Sequence, residues 1–316
     1  MYFFIFCTFS FMIIQTPTPL ENILSPFLKE KNIKLWVKRD DLTHSLVQGN
    51  KWRKLKYNLF DFKKSQKKYL LTFGGAFSNH LYATAAAGQF FEIPTIGIVR
   101  GEKILPLNST LAFAEGAGMQ LHFVDRKTYR LKENLLPSLN ISLKDCYILP
   151  EGGTNELAIK GCEELGEEIL GQMETPPDFV VASCGTGGTV AGLISSIPAP
   201  TKVIGFSSLK GDFLIQEVEK LLNQFSAKKN LPSYSIQTDY HFGGYAKHKP
   251  SLIDFINEFK QQYHIQLDPI YTGKMFYGIF DLIEKDFFPK GSRIVAVHTG
   301  GLQGVNGFRE RFGNLL

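Results

Sequence analysis

The stretch Phe179-Val-Val-Ala-Ser-Cys-Gly-Thr-Gly-Gly-Thr-Val-Ala-Gly-Leu-Ile-Ser195 decides the fold. Phe179 to Ala182 is an apolar run of the kind that forms a strand buried on both faces, and Thr189 to Ser195 has helical character. Cys184 to Thr189 joins them as a glycine-rich turn. A strand running through such a turn into a helix is half of a parallel β-α-β unit. The turn also places successive backbone N–H groups at a helix N-terminus, which makes an anion cradle. Glycine lets the backbone come close to phosphate oxygens, while Thr186 and Thr189 can add hydroxyl donors. A plain tight turn and a dinucleotide fingerprint are the alternatives. The fingerprint wants an acidic residue about 20 positions further on. The chain there reads Gly205-Phe-Ser-Ser208, so a phosphate without a ribose fits better. No GxxxxGK(S/T) loop is present to support nucleotide hydrolysis.

Working outward, strand and helix patterns alternate along the chain. Strands are expected at Leu35 to Lys38, Tyr69 to Phe73, Thr95 to Val99, Met119 to Val124, Tyr147 to Leu149, Val203 to Phe206 and Arg293 to Val297. Helices are expected at Asn50 to Lys64, Ser78 to Phe91, Asn108 to Glu115, Glu156 to Leu170 and Lys274 to Lys285. This spacing predicts an α/β protein with parallel sheets. Ligands of open α/β sheets bind beyond the carboxyl ends of strands. Three strand-to-helix turns are therefore candidates: Gly74 to His80, Cys184 to Thr189 and His298 to Gly301.

The whole sequence has 316 residues, 44% hydrophobic and 21% charged, with 35 Lys+Arg against 30 Asp+Glu. That is enough chain for two ordinary domains, and its composition excludes disorder and coiled coil. Four widely spaced cysteines (Cys7, Cys146, Cys162, Cys184) form no CxxC pair, so a reduced, cytoplasmic setting is expected and a structural metal is not. A net charge of +5 is modest, and the Lys63, Lys64, Lys67, Lys68 cluster reads as a solvated helix face, with no nucleic-acid partner expected. Met1 to Ile14 is an uncharged apolar run, too short for the about 20 residues of a membrane span. It is read as translation from a start upstream of Met12, with an apolar arm or a secretion signal as alternatives.

Two further turns carry polar groups. Lys38-Arg-Asp-Asp-Leu42 leads to Gly49-Asn-Lys-Trp-Arg-Lys-Leu55, where Lys51 stands at a helix start. The helix dipole disfavours a cation there and lowers its pKa, which suits an amine that must form a Schiff base; the plain alternative is a surface lysine beside Arg53. Gly74-Gly-Ala-Phe-Ser-Asn-His80 ends a strand and opens a helix. Ser78 is a natural N-cap, yet Ser78, Asn79 and His80 together also offer a hydroxyl, an amide and a flat ring to one ligand. An imine lysine, a phosphate cradle and a polar turn together describe a pyridoxal phosphate site.

At this point the sequence resembles the D-cysteine desulfhydrase and 1-aminocyclopropane-1-carboxylate deaminase family, pyridoxal phosphate enzymes of the tryptophan synthase β-like fold (fold type II). The matching motifs run in order through nearly the whole chain: Thr16-Pro-Thr-Pro-Leu-Glu21, KRDD, GNKWRKL, the SNH turn, Glu151-Gly-Gly-Thr-Asn155, CGTGGT, Asp268-Pro-Ile-Tyr-Thr-Gly-Lys274 and His298-Thr-Gly-Gly301. The resemblance implies that Lys51 is the imine lysine and general base. It implies that Lys54 and the loop of Cys184, Gly185, Thr186, Gly187, Gly188 and Thr189 hold the phosphate. Asn79 would bond the phenolic oxygen and His80 would lie beside the ring. Ser78 would meet the substrate carboxylate or act as a nucleophile, and Tyr245 and Tyr271 match two active-site tyrosines.

Within this family the ring-opening deaminases carry a glutamate after the tyrosine of DPxYxGK and a leucine in HxGG, where this chain has Thr272 and Thr299. That is the desulfhydrase pattern. The resemblance thus implies β-elimination from D-cysteine, or a related D-amino acid, to pyruvate, ammonia and hydrogen sulfide. The deaminase reaction giving 2-oxobutyrate and ammonia, a non-catalytic pyridoxal phosphate-binding protein and, more remotely, a dinucleotide oxidoreductase are the other readings. Two lobes are expected, a large one from 1–51 and 161–316 and a smaller one from 52–160 inserted in it, with 1–11 an extension beyond the family. A homodimer acting on a small amino acid, with no membrane partner, is implied.

Overall fold

The structure is a computed structural model that describes residues 13–226 and 230–316. The expected extension 1–11 and most of the apolar opening run lie outside the described residues. From the amino end the elements are β1 (Leu20–Ile23), α1 (Pro26–Glu30), β2 (Lys34–Lys38), α2 (Asn50–Lys64), β3 (Tyr69–Gly75), α3 (Asn79–Phe91), β4 (Thr95–Arg100), α4 (Ser109–Gly116), β5 (Gln120–Val124) and β6 (Cys146–Leu149). The chain continues with α5 (Glu156–Gln172), β7 (Phe179–Cys184), α6 (Gly188–Ser196), β8 (Lys202–Ser207), α7 (Phe213–Phe225), β9 (Tyr234–Gln237), α8 (Pro250–Tyr263), α9 (Thr272–Glu284), β10 (Arg293–Val297) and α10 (Gln303–Phe312).

Two sheets form, a six-stranded one ordered β1-β2-β10-β7-β8-β9 and a four-stranded one ordered β5-β4-β3-β6. The sheets are parallel as expected, every pairing but one running that way; β1 with β2 is an antiparallel edge. The connection explains the exception. Only α1 and a short turn separate β1 from β2, too little chain for a crossover that returns the strand in the same direction.

Helices cover the faces for ordinary reasons of pattern. In α2, Leu55, Leu59 and Phe62 recur at helical spacing and are buried, while Lys63 and Lys64 occupy the last turn, where the dipole favours cations. Leu55 is wholly buried, and truncating it to Ala would cost roughly 3 kcal/mol. At the start of α3 the Ser78 hydroxyl accepts the Leu81 N–H at 3.2 Å, the expected N-cap. α6 is buried on almost every side, consistent with its apolar sequence beside β7 and β8.

Beneath α2 lies a buried ion network. Arg53 and Lys38, both fully buried, converge on Glu168 of α5; Arg53 also holds Asp40 Oδ1 at 2.7 Å, and Lys38 Nζ donates to the Thr18 carbonyl at 2.7 Å. Arg53 is held charged above its ordinary range: burial opposes the charge, and Asp40 and Glu168 more than offset it. These bonds fix the helix in register with the strand end that precedes it.

Candidate active site

The carboxyl ends of both sheets face one cavity of about 760 Å³. β7 ends at Cys184, β10 leads into His298–Gly301, β3 ends at Gly75, β4 at Arg100 and β6 just before Glu151, and residues from each of these ends line it. Three helices, α2, α3 and α6, begin there. In α2 the first N–H groups are already taken, Asn50 by the Thr299 carbonyl and Lys51 by the Gln48 carbonyl, and in α3 Leu81 is capped by Ser78, which leaves the start of α6 as the one suited to an anion.

The start of α2 is tightly constrained. Gly49 has φ +53°, and a methyl group there would lie 2.2 Å from the Thr299 carbonyl oxygen, so only glycine fits. The Asn50 N–H bonds that same carbonyl at 3.3 Å, and the Asn50 side chain reaches Thr189 at 3.0 Å. Lys51 follows as the second helical residue and lines the cavity. Burial, reinforced by the neighbouring Lys54 charge, pushes its amine down to about 7. Lys54 Nζ donates to Thr154 Oγ1 at 2.9 Å, to the Gly152 carbonyl at 3.2 Å and to Thr186 Oγ1 at 3.3 Å. Burial lowers its pKa as well.

Most of the residues singled out in the sequence meet at this cavity: Lys51, Lys54, Ser78, Asn79, His80, Cys184, Gly185, Thr186, Gly187, Thr189, Tyr245, Tyr271 and Thr299 all line it. Gly188 and Thr272 do not. Gly188 is packed against the Thr154 side chain, 2.8 Å from where a methyl would be. Thr272 is fully buried at the start of α9, where its hydroxyl donates to Asp268 Oδ2 at 2.7 Å and accepts the Asp268 N–H at 2.9 Å. Thr299 instead stands on the wall, its hydroxyl 3.1 Å from Ser183 Oγ.

Arg100, Lys132 and Glu151 also line the cavity and were not singled out as site residues. Glu151 gathers the two cations, with Lys132 Nζ at 2.5 Å and Arg100 at 3.8 Å. Arg100 had a legible signal, because it directly follows an expected strand. Lys132 had none.

Pyridoxal phosphate fits these residues on three observations. No carboxylate among the described residues pairs with Lys51 or Lys54, so two amines whose pKa values burial lowers stand beside a helix N-terminus without an anion. The His80 imidazole is buried with neither ring nitrogen bonded, and burial together with Lys51 and Lys54 holds it neutral, as a flat ring against an aromatic ligand would be. A methyl at Gly185 would lie 2.9 Å from the Tyr271 ring, so the position takes only glycine and no side chain covers the backbone of the turn there. Tyr271 and Tyr245 lie edge to face, with centroids 6.3 Å apart, and burial raises both phenols above their ordinary pKa.

Comparisons with known proteins agree with this geometry. A bifunctional D-cysteine desulfhydrase/1-aminocyclopropane-1-carboxylate deaminase of Arabidopsis thaliana, described as mitochondrial, is 31% identical over 94% of this chain and 79% of its own length. A crystal structure titled as an ACC deaminase homologue superposes with a TM-score of 0.82 at 27% identity, covering 96% of this chain and 95% of that one. A hydrogen sulfide-producing enzyme of Fusobacterium nucleatum shares the fold at 16% identity, with a TM-score of 0.65 and coverage of 92% and 97%. The family model for pyridoxal-phosphate dependent enzymes matches residues 12–300, and the chain belongs to that family.

Proposed function

We propose that the protein is a lyase that converts D-cysteine, or a related D-amino acid, and water to pyruvate, ammonia and hydrogen sulfide. Pyridoxal phosphate, when bound, supplies a carbonyl for an amine and a conjugated ring that takes up the electron pair left at Cα. Lys54, Thr186 and the first N–H groups of α6 would hold its phosphate, Asn79 its phenolic oxygen, and His80 would lie beside its ring. Lys51, with its pKa near 7, is largely neutral above that pH and can take the Cα proton at Nζ. Ser78 Oγ already accepts the Leu81 N–H, which leaves its proton to donate to a substrate carboxylate at the start of α3. Tyr271 and Tyr245, held as phenols, are sources of a proton for the departing thiolate.

The observation that carries the choice of leaving group is Thr299. It offers the cavity wall a hydroxyl paired with Ser183, where the ring-opening deaminases of the resemblance carry leucine. Expulsion of a thiolate demands less of the electron sink than opening an unactivated cyclopropane. The bifunctional name of the Arabidopsis relative keeps the deaminase reaction as the second reading. Sulfide and pyruvate from D-cysteine with purified, cofactor-loaded protein is the deciding assay. Absence of sulfide defeats the reading; 2-oxobutyrate from the cyclopropane amino acid installs the second one; cofactor binding without either product leaves a binding protein.

The proposal extends to a homodimer in the cytoplasm. The family resemblance supports the dimer, and the three described cysteines, all free and buried, support a reducing setting. No helix among the described residues is long and apolar enough to cross a membrane. Sedimentation and fractionation test the two statements.

A further inference from the structure

Lys274 is a buried amine that the proposed reaction does not use. It lies in the first turn of α9, three residues after Tyr271, is 1% exposed, and forms no ion pair with any described carboxylate. Its ammonium instead donates to two backbone carbonyls, His241 at 2.9 Å and Gly244 at 2.8 Å. Between and beyond these carbonyls the chain coils tightly: Phe242, Gly243, Gly244 and Ala246 all have positive φ, at 53°, 98°, 117° and 54°. For Phe242 and Ala246 this is a strained backbone, and such strain persists only where the surroundings over-determine it. Tyr245 is carried at the centre of this coil.

At its two ends the segment is held from elsewhere, Tyr240 lying against Phe206 of β8 and His248 packing edge-on against Phe308 and Phe312 of α10, but the restraints on its middle come from α9 and from the coil itself. Phe242 packs edge-on against Tyr277 at 4.9 Å, one turn beyond Lys274, and Tyr240 just before the coil bonds Asp281 at 2.6 Å. Internally, the Gly243 N–H bonds the His241 ring at 2.8 Å and the Gly244 N–H bonds the His241 carbonyl at 3.0 Å. α9 thus carries Tyr271 at its start and ties down the segment that carries Tyr245. We infer that Lys274 is a positioning residue for the reaction, clamping the His241 and Gly244 carbonyls so that Tyr245 meets Tyr271 over the cavity. Charge-assisted bonds to two carbonyls suit this task better than a neutral donor. The amine does this at a cost, since burial lowers its pKa to about 8.

The inference rests on the reading of Tyr245 as a residue of the active site, and its test separates the two. Holoenzymes of Lys274→Met, Tyr245→Phe and the double variant are compared by turnover of D-cysteine, by cofactor absorbance and by amide hydrogen exchange of segment 240–248. In Lys274→Met, exchange in that segment should rise about tenfold or more with the cofactor retained, and kcat should fall by a similar factor with KM little changed. In the Tyr245→Phe background the same change should lower kcat less than twofold further. Lys274→Gln, which keeps an uncharged amide donor on a shorter side chain, should lie between wild type and Lys274→Met. Unchanged exchange in the segment overturns the inference whether or not D-cysteine proves to be the substrate. Fully additive losses of kcat overturn it too, as does loss of cofactor from both lysine variants, because the lysine would then be supporting the whole site. Wild-type turnover in Tyr245→Phe instead removes Tyr245 from the active site, and with it the reason for the clamp.

Discussion

Lys51 and Lys54 lie one turn apart at the start of α2, and no described carboxylate pairs with either. The unfolded chain keeps the Lys51 proton to about pH 10.4, whereas the folded protein releases it near 7. Between those values the unfolded state binds more protons, so stability rises with pH. Below about 7 both states are protonated and the penalty is complete. The melting temperature of cofactor-free protein should therefore climb from pH 7 towards 10, and Lys51→Met should make the climb shallower. An identical slope in the variant would show that the amine is solvated normally. The same titration predicts turnover that rises with pH through about 7.

Lys54 has three oxygen partners and stands beside the glycine turn. Lys54→Met removes charge-assisted donors, each worth about 1.5–3 kcal/mol. The dissociation constant of pyridoxal phosphate should rise roughly 10- to 100-fold, measured by absorbance titration of the cofactor-free protein. An unchanged constant would place the phosphate elsewhere.

Thr272 and Thr299 should separate in their effects. Thr272→Val leaves the Asp268 N–H and a carboxylate oxygen each short of a partner, at a cost of about 1–3 kcal/mol in denaturant unfolding, with turnover nearly unchanged. Thr299→Val removes a cavity hydroxyl and should lower turnover with less effect on stability. If Thr272→Val proved the more damaging to turnover, its side chain would have to reach the ligand.

Arg53 joins Asp40 and Glu168 in the buried network, and Arg53→Met leaves buried Asp40 without its cation and Glu168 with Lys38 alone. A loss of about 3–5 kcal/mol is expected. Glu168 is held below its ordinary pKa: burial opposes this, and bonds to Arg53 and Lys38 outweigh burial. Its contribution is complete above about pH 4.5 and disappears as pH falls through the lowered value. Acid unfolding should therefore be shallower in Arg53→Met, followed by circular dichroism. Equal acid sensitivity would show that the network is not linked to folding.

Much of this was legible because pattern and tertiary role agree. α2 begins and ends where the spacing of Leu55, Leu59 and Phe62 and the closing lysines place it, and Ser78 caps α3 as its residue type suggests. α8 was missed although its signal is present, with Pro250 at the first position and Leu252, Ile253, Ile256 and Phe259 at helical spacing. β1 is a different case, four residues that gain their strand from an edge pairing no local pattern reveals. In the site, the glycine turn and Lys51 announce themselves because their chemistry is local. The coil around Tyr245 could not be read, because Phe242 and Ala246 adopt a backbone their own propensities oppose, under restraints supplied by α9 some 30 residues on. The bond of the Thr272 hydroxyl is not legible for a related reason: the residue that takes it, Asp268, is a neighbour in the same motif.

The contact between Gly49 and the Thr299 carbonyl couples two properties that an engineer would wish to vary separately. The 298–301 turn shapes one wall of the cavity, and the residue before α2 sets where Lys51 points. With no room for even a methyl group between them, reshaping that wall displaces the base, and shifting the base reshapes the wall. Changes of substrate are therefore easier to accommodate around Arg100 and Lys132, whose side chains are partly exposed and which no backbone contact ties to the lysine.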